Sequence, residues 1–359
     1  MKYRTTTILA PEDQTNGAGT KTIDIDVIDP ISRIEIKFRA QNGAAGNSDH
    51  PAANITKIEL VDGANVLFSL TGKEAQAVNF YNRGIMPAGG IDTINDHWNT
   101  AYFSIDFGRY LWDTDLALVP EKFGNLQLKI TYDEDVCQTS ADANYLSVYA
   151  FCFDEKTVSP RGFLMTKELR EYTGAAGAYE STDVPTDYII KQIYVFGRYA
   201  TNTFCTQIDE IRLSEEHLKR IVVDLSSAEF LYWTLERYGR TVEHAYLMGV
   251  TSATYFYAAP SDSGYALMSG YGADAYNCAY THDGGKFGYN TNSATVNGKA
   301  IISGVFPHGA CPILFYNDKN IDDWYDVRAK KNIELRIKAG ASYSTSGNIQ
   351  IVTEQLRTY

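Results

Sequence analysis

Six histidines, His50, His97, His217, His244, His282 and His308, are the side chains best suited to hold a metal or move a proton. None forms His-x-His or His-Glu-x-x-His, so a metal centre would have to be assembled across loops, and solvated loop imidazoles are the simpler expectation. Asp113 with Asp115, and Asp322 and Asp323 with Asp326, could join backbone carbonyls around calcium. Neither group follows the EF-hand spacing, and both read as solvated turn acids. Gly270-Tyr271-Gly272-Ala273-Asp274-Ala275 fits the loosest form of a dinucleotide fingerprint. That motif works only between a strand and a helix N-terminus, where turn and dipole hold a pyrophosphate, and no helical pattern follows it here. Gly-x-Ser-x-Gly is absent, and no Ser, His and Asp group stands out. The sequence therefore nominates no catalytic residue, no metal site and no cofactor, and the expectation is a protein that is not an enzyme.

Composition narrows the function classes further. The formal charge of -12 and the absence of a basic run argue against direct nucleic-acid binding, which needs clustered Lys and Arg. The N-terminus, MKYRTTTILAPEDQ, lacks the apolar stretch of a signal peptide, and no run of about 18 apolar residues is present to span a membrane. A reducing cytoplasm is the expected setting. The five cysteines, Cys137, Cys152, Cys205, Cys278 and Cys311, form no Cys-x-x-Cys and read as free thiols. Asn54-Ile55-Thr56 is a glycosylation sequon without a secretory route to use it.

The elements that would position any site are legible because one unit occurs twice. ITKIELVDGANVLFSLTGKEAQAVNFYNRG, Ile55 to Gly84, has a second copy from Ile208 to Gly239. In each, period-two alternation, a polar turn and a second apolar run predict two strands. Thr71-Gly72-Lys73-Glu74 and Ser226-Ser227-Ala228-Glu229 both fit the capping box, in which a hydroxyl bonds the N3 amide and the N3 Glu bonds back. Helices are predicted over Thr71–Arg83 and Ser226–Tyr238, each stopped by a glycine, Gly84 or Gly239, in a left-handed C-cap.

The repeat extends beyond this unit. Ile34, Ile36 and Phe38 match Ile190, Ile193 and Val195, with Arg39 and Arg198 at corresponding places. Ser104-Ile105-Asp106-Phe107 matches Pro312-Ile313-Leu314-Phe315, and Asn125–Ile130 matches Asn332–Ile337. A chain of 359 residues is long for one core, since cores stop growing near about 250–300 residues. The 26 Tyr, the β-branched residues and the frequent Gly turns indicate an all-β protein. The expected architecture is two tandem eight-stranded jelly-roll β-sandwiches, each with one short helix. The expected boundaries are 1–155 for the first, 156–184 for a linker centred on Thr173-Gly174-Ala175-Ala176-Gly177, and 185–359 for the second. Residues 1–20 read as a mobile arm with an edge strand.

One segment breaks the symmetry. Residues 241–300 of the second half are long and rich in Tyr and Gly, and they include Tyr255, Tyr257, Tyr265, Tyr271, Tyr276 and Tyr280. Rigid amphipathic rings among small residues suit a contact surface, and an extra hairpin packed on its own domain is the alternative. As an outward projection or intersubunit contact, the segment is expected to be removable without loss of folding.

Two capped units in tandem with a long insertion in only one resemble the double-jelly-roll major capsid proteins of tailless icosahedral DNA viruses, particularly those of bacterial viruses and proviruses. The resemblance is carried by IELVDGANVLFSLTGKEAQAVNFYNRG and YFSIDFGRYLWDTDLALVPEKFGNLQLKITYD, with counterparts IRLSEEHLKRIVVDLSSAEFLYWTLERYG and PILFYNDKNIDDWYDVRAKKNIELRIKAG. It implies a structural protein of the virion capsid, assembled in the host cytoplasm as a homotrimer whose six sandwiches make a pseudo-hexameric capsomer. The implied partners are other copies of the chain, neighbouring capsomers, minor capsid or vertex proteins and, in many members, an internal membrane. No catalytic residues carry over. The competing class is a glycan-binding or glycan-processing double sandwich, such as a spike or secreted lectin-like protein, in which Tyr255–Tyr257 and Trp324–Tyr325 would stack on sugars.

Overall fold

The computed structural model describes the chain except residues 15, 45, 139–142, 271–279, 282, 292, 316 and 318. The first half runs β1 (Tyr3–Asp13), β2 (Gly19–Asp24), β3 (Ile31–Gln41), β4 (Ile55–Asp62), β5 (Asn65–Leu70), α1 (Gly72–Arg83), β6 (Gly89–Asp92), β7 (Trp98–Asp106), β8 (Leu126–Tyr132) and β9 (Asn144–Phe153). The second continues with β10 (Gly162–Tyr172), β11 (Tyr179–Asp183), β12 (Ile189–Arg198), α2 (Phe204–Gln207), β13 (Ile208–Glu215), β14 (Arg220–Ser226) and α3 (Ser227–Tyr238). It closes with β15 (Thr241–Leu247), β16 (Thr254–Tyr257), β17 (Pro260–Gly270), β18 (Tyr280–Thr281), β19 (Lys286–Tyr289), β20 (Gly298–Pro307), β21 (Ala310–Pro312), β22 (Ile333–Ala339) and β23 (Asn348–Thr358).

The duplication is written in strand order. β1-β9-β3-β7 packs over β2-β8-β4-β5 in the first half, and β10-β23-β12-β21 over β11-β22-β13-β14 in the second. Alternation builds each core: Ile34, Ile36 and Phe38 of β3 meet Leu128 and Ile130 of β8, while Ile193 and Val195 of β12 meet Leu335 and Ile337 of β22. Even the irregularities correspond. β4 and β5 slip register after Leu60, and β13 and β14 after Leu213. The slips between Ile31 and Arg33 and between Ile190 and Gln192 are likewise equivalent.

The halves are not beads on a string. β5 pairs in parallel with β10, and β6 in parallel with β15, so both large sheets run on from the first half into the second. The first core accordingly takes in Tyr194, Phe196, Ala310 and Val352 from the second half.

Both capping boxes form, from Thr71 with Glu74 and from Ser226 with Glu229. Gly84 ends α1 in the left-handed region (φ 75°, ψ 6°), as expected. Gly239 does not: its φ is 73° but its ψ is -159°, an extended conformation open essentially to glycine alone. The cause is the next element, because β15 begins two residues later and the chain must leave α3 already extended.

Two further expectations need correction. Residues 156–184 are not simply a linker, since they contain β10 and β11; Thr173–Gly177 is only the turn between them. Phe163, Leu164 and Met165 are all buried, so β10 shows no alternation at its start. The second half also carries a second short helix, α2. Thr203 caps it, and the buried Asp262 carboxylate accepts from the Phe204 amide at 2.7 Å.

Candidate functional site

With no catalytic constellation in the sequence, the surfaces that join sandwich to sandwich are the functional feature to examine. Inside the chain that junction is built on α1. One face of the helix is fixed to its own half by Asn79, whose Nδ2 donates to the Ser104 carbonyl (2.8 Å) while its Oδ1 accepts from the Ser104 amide (2.9 Å). The other face meets the second half. Tyr81 is 3% exposed, stacks on Tyr194 at 5.7 Å between centroids, meets Tyr238 edge-on at 5.0 Å and donates its hydroxyl proton to the Ala310 carbonyl. Beside it the Lys191 ammonium donates to Glu354 (2.7 Å) and to Asn82 Oδ1 (2.6 Å), and Asn82 Nδ2 donates to Glu354 at 3.0 Å. At the helix start Arg198 donates to Thr71 Oγ1 at 2.9 Å and lies 3.8 Å from the Glu74 carboxylate.

The histidines depart from expectation at this same junction. His50 and His308 are 5% and 8% exposed, not solvated, and their rings meet edge-on at 4.7 Å. His50 Nδ1 accepts from the Ala52 amide at 3.0 Å, which leaves Nε2 to donate to Glu243 at 3.1 Å. His308 Nε2 pairs with Gln76 Oε1 at 3.1 Å. Both rings are thus committed to fixing tautomers and loops. No local signal could announce this, because the partners lie 193 and 232 positions away. Asp49, Lys73, Arg198 and Tyr257 join them around a cleft of about 290 Å³ in which Lys73 is already paired to Asp49 at 2.6 Å.

Burial lowers the His308 pKa well below the ordinary value, helped by His50, Lys73 and Arg198 nearby. The neutral ring is the folded form, so unfolded chains bind a proton that folded chains do not once pH drops below about 6.5. Stability is therefore expected to be intact above that pH and to decline as pH falls below it. Thermal melts across pH 5–8 test this: His308→Gln should flatten the dependence, and an unchanged slope would remove His308 as its cause.

The other sequence candidates are accounted for locally. Asp113 and Asp115 are tied to Arg109 at 2.7 and 2.8 Å, Asp326 to Arg328 at 2.7 Å, and Asp323 accepts from Asn320 at 2.8 Å. Among the described residues no three His, Cys, Asp or Glu side chains gather as a metal-binding group. Asn54 is 1% exposed and bonded to Gln138 and the Cys137 amide, which closes it to glycosylation. Cys137, Cys152 and Cys311 are buried free thiols and Cys205 a half-buried one. The glycine fingerprint, Cys278 and His282 lie mostly or wholly outside the described residues.

No protein-family model matches the sequence, and no curated protein matches it. Solved structures do. The chain is similar to the STIV MCP, from Sulfolobus Turreted Icosahedral Virus, at 12% identity over 100% of this chain and 98% of that one, with a TM-score of 0.61. It is similar to the major capsid protein P2 from bacteriophage PM2 at 11% identity, 99% and 98% coverage and a TM-score of 0.57. A chain of the PBCV-1 virus capsid matches at 10% identity, 99% and 93% coverage and a TM-score of 0.57. The fold is a double jelly roll.

Within the double jelly roll, each surface of the α1 junction has a counterpart that the chain leaves uncovered. Nine of the twelve residues of α1 are buried, but only Ser227, Phe230 and Thr234 of α3. Ala77 and Val78 of α1 correspond to Tyr232 and Trp233, which are 68% and 40% exposed. β12 and β23 are buried on both faces, because α1 covers the outer one. Their equivalents β3 and β9 are less completely buried on the outer face: Ser147 and Phe153 are enclosed there, but the face, shared with β7, also carries half-buried Tyr102, Tyr149 and Phe151 beside Lys37 and Arg39.

The Tyr-rich segment divides between two sheets. β15, β20 and β17 extend the first large sheet, and β16, β19 and β18 form a three-stranded sheet packed on it through Phe256, Phe287 and Ile302. Tyr255 and Tyr265 are 42% and 44% exposed, with Lys286 and Arg240 over their rings at 4.0 and 5.7 Å. Tyr257 is half-buried at the cleft, Tyr280 lies on β18, and Tyr271 and Tyr276 are outside the described residues. Tyr265 shares the outward face of its sheet with exposed Val242, Tyr246, Leu267 and Ile301, a row the register aligns.

Proposed function

We propose that this protein is the major capsid protein of a tailless icosahedral virus, a structural protein without catalytic activity whose homotrimers form pseudo-hexameric capsomers. The observation that carries this is end-to-end similarity to viral capsid chains, together with the duplicated sandwich. A six-sided tile packs a shell efficiently, and a chain with two equivalent jelly rolls reaches that shape with three copies. The division into a first unit, 1–155, and a second that takes 185–359 with insertion 241–300 and adds β10 and β11 from the 156–184 segment belongs to the same proposal. Tyr255, Tyr257, Tyr265 and the row beside Tyr265 serve as outward or intercapsomer contacts. Neighbouring trimers and minor capsid or vertex proteins are the partners.

Native mass spectrometry at micromolar protein, with electron microscopy of the same sample, tests the reading. Three-chain particles of hexagonal outline support it. A stable monomer that binds in a glycan-array screen would replace it with the glycan-binding alternative.

A further inference from the structure

The chain carries one complete jelly-roll junction and the two separated halves of a second. β5 pairs in parallel with β10 at Phe68 opposite Thr166 and Ser69 opposite Lys167, and α1 lies over the outer face of the sheet to which β10 belongs. The equivalent of β5 is β14, which among the described residues ends its sheet beside β13. The equivalent of β10 is β1, which ends its sheet beside β9. An open edge with unpaired amides and carbonyls is a template for another strand. Among the described residues each chain exposes one edge of each kind, together with an exposed helix face and a half-buried aromatic sheet face.

We propose that β14 of one copy pairs in parallel with β1 of the next, while α3 covers the outer face of that neighbour's β1-β9-β3-β7 sheet, repeating between chains the junction that α1 makes within one. The contact rests on the trimer reading above and specifies its strands and register. One chain's second jelly roll meets its neighbour's first, so the contact is heterologous and suits a closed ring. The occupant is a second copy because the covering surface that α3 lacks is, by fold equivalence, one that the first half of the same sequence leaves bare.

The register follows from the repeat. Counting back from the two capping boxes, Phe68 and Ser69 correspond to Val223 and Asp224. Thr166 and Lys167 face Glu354 and Thr353 on β23, whose equivalents on β9, Phe151 and Ala150, face Thr5 and Thr6. Val223 therefore stands opposite the neighbour's Thr5, and Asp224 opposite its Thr6. Arg198, which reaches Thr71 and Glu74 at the start of α1, corresponds to Arg39, and Thr71 and Glu74 correspond to Ser226 and Glu229. Arg39 of the neighbour thus meets the capping box of α3. Charge agrees with the placement: α3 presents Glu229 and Glu236 on either side of its exposed rings, and the receiving face presents Lys37 and Arg39 next to Glu35.

The test is a cysteine pair, Val223→Cys with Thr5→Cys, treated with a short thiol-to-thiol crosslinker and read on a denaturing gel beside native mass spectrometry. The pair should yield covalent species of two and three chains that neither single variant gives, and Arg220→Cys with Thr5→Cys, three residues out of register, should yield far less. A trimer by native mass whose Val223/Thr5 pair stays uncrosslinked overturns this contact while the trimer stands; a monomer overturns both. Arg39→Glu provides a second reading that does not depend on the cysteines. It should weaken the trimer about tenfold or more and leave circular dichroism unchanged. Rescue of the trimer by adding Glu229→Arg supports the pairing, and an Arg39→Glu trimer of undiminished stability overturns it.

Discussion

Replacing Lys191 by Met is expected to destabilise the protein by about 3–5 kcal/mol, the usual cost of stranding one partner of a buried ion pair. The side chains of Lys191 and Glu354 are 4% and 1% exposed, and the ammonium is also the donor to Asn82 of α1. Met fills the space but leaves the Glu354 carboxylate with the Asn82 amide at 3.0 Å and the Tyr194 hydroxyl at 3.4 Å, and no compensating charge. The double variant Lys191→Met with Glu354→Met should recover most of the loss, because the desolvation cost of the pair disappears with both charges. Urea titration of all four proteins gives the cycle. A single variant that loses under 1 kcal/mol would show that water reaches Glu354.

Excision of residues 241–300 is expected to abolish soluble folding, the reverse of what the sequence alone suggests. β15 is the strand that continues the first sheet beyond β6, and Glu243 on it holds both His50 and the Ala259 amide. Asp262 on β17 caps α2 from a buried position. Removing the segment strips Ile91 of its paired neighbour Ala245, cuts into the start of β20 and leaves the β6 edge bare. Expression followed by separation of soluble and pelleted protein decides the matter. Soluble, cooperatively melting protein would mean that the segment is a separable projection.

The sequence discloses the hairpin, capping box and helix of each half because their signals are local: alternation, a polar turn, and a hydroxyl three residues before a glutamate. It hides β10 because alternation reports one buried face, and Phe163, Leu164 and Met165 are buried on both. It hides the His50–His308 contact and the Asp262 cap on α2 because each depends on residues distant in the chain. The stop at Gly239 was legible as a glycine requirement but not as a conformation, since ψ there is set by the strand that follows. The Tyr-rich segment was legible as the break in symmetry. Its aromatic content could not tell rings that build a core, such as Tyr289 at 4% exposure, from rings that face outward, such as Tyr265.

The unequal burial of equivalent strands has a consequence for heredity. Val352 on β23 and Tyr149 on β9 occupy the same place in the repeat, yet the first is fully enclosed by its own chain and the second is half-open. A change at Val352 is judged during the folding of a single molecule. Under the proposed contact, a change at Tyr149 would pass that inspection and be judged when chains meet. Twin copies of one ancestral unit would then drift under different selection, one for self-consistency and the other for compatibility with its neighbours. Lineages would part company first on the outer faces of β3 and β9, while β12 and β23 stayed close to their origin.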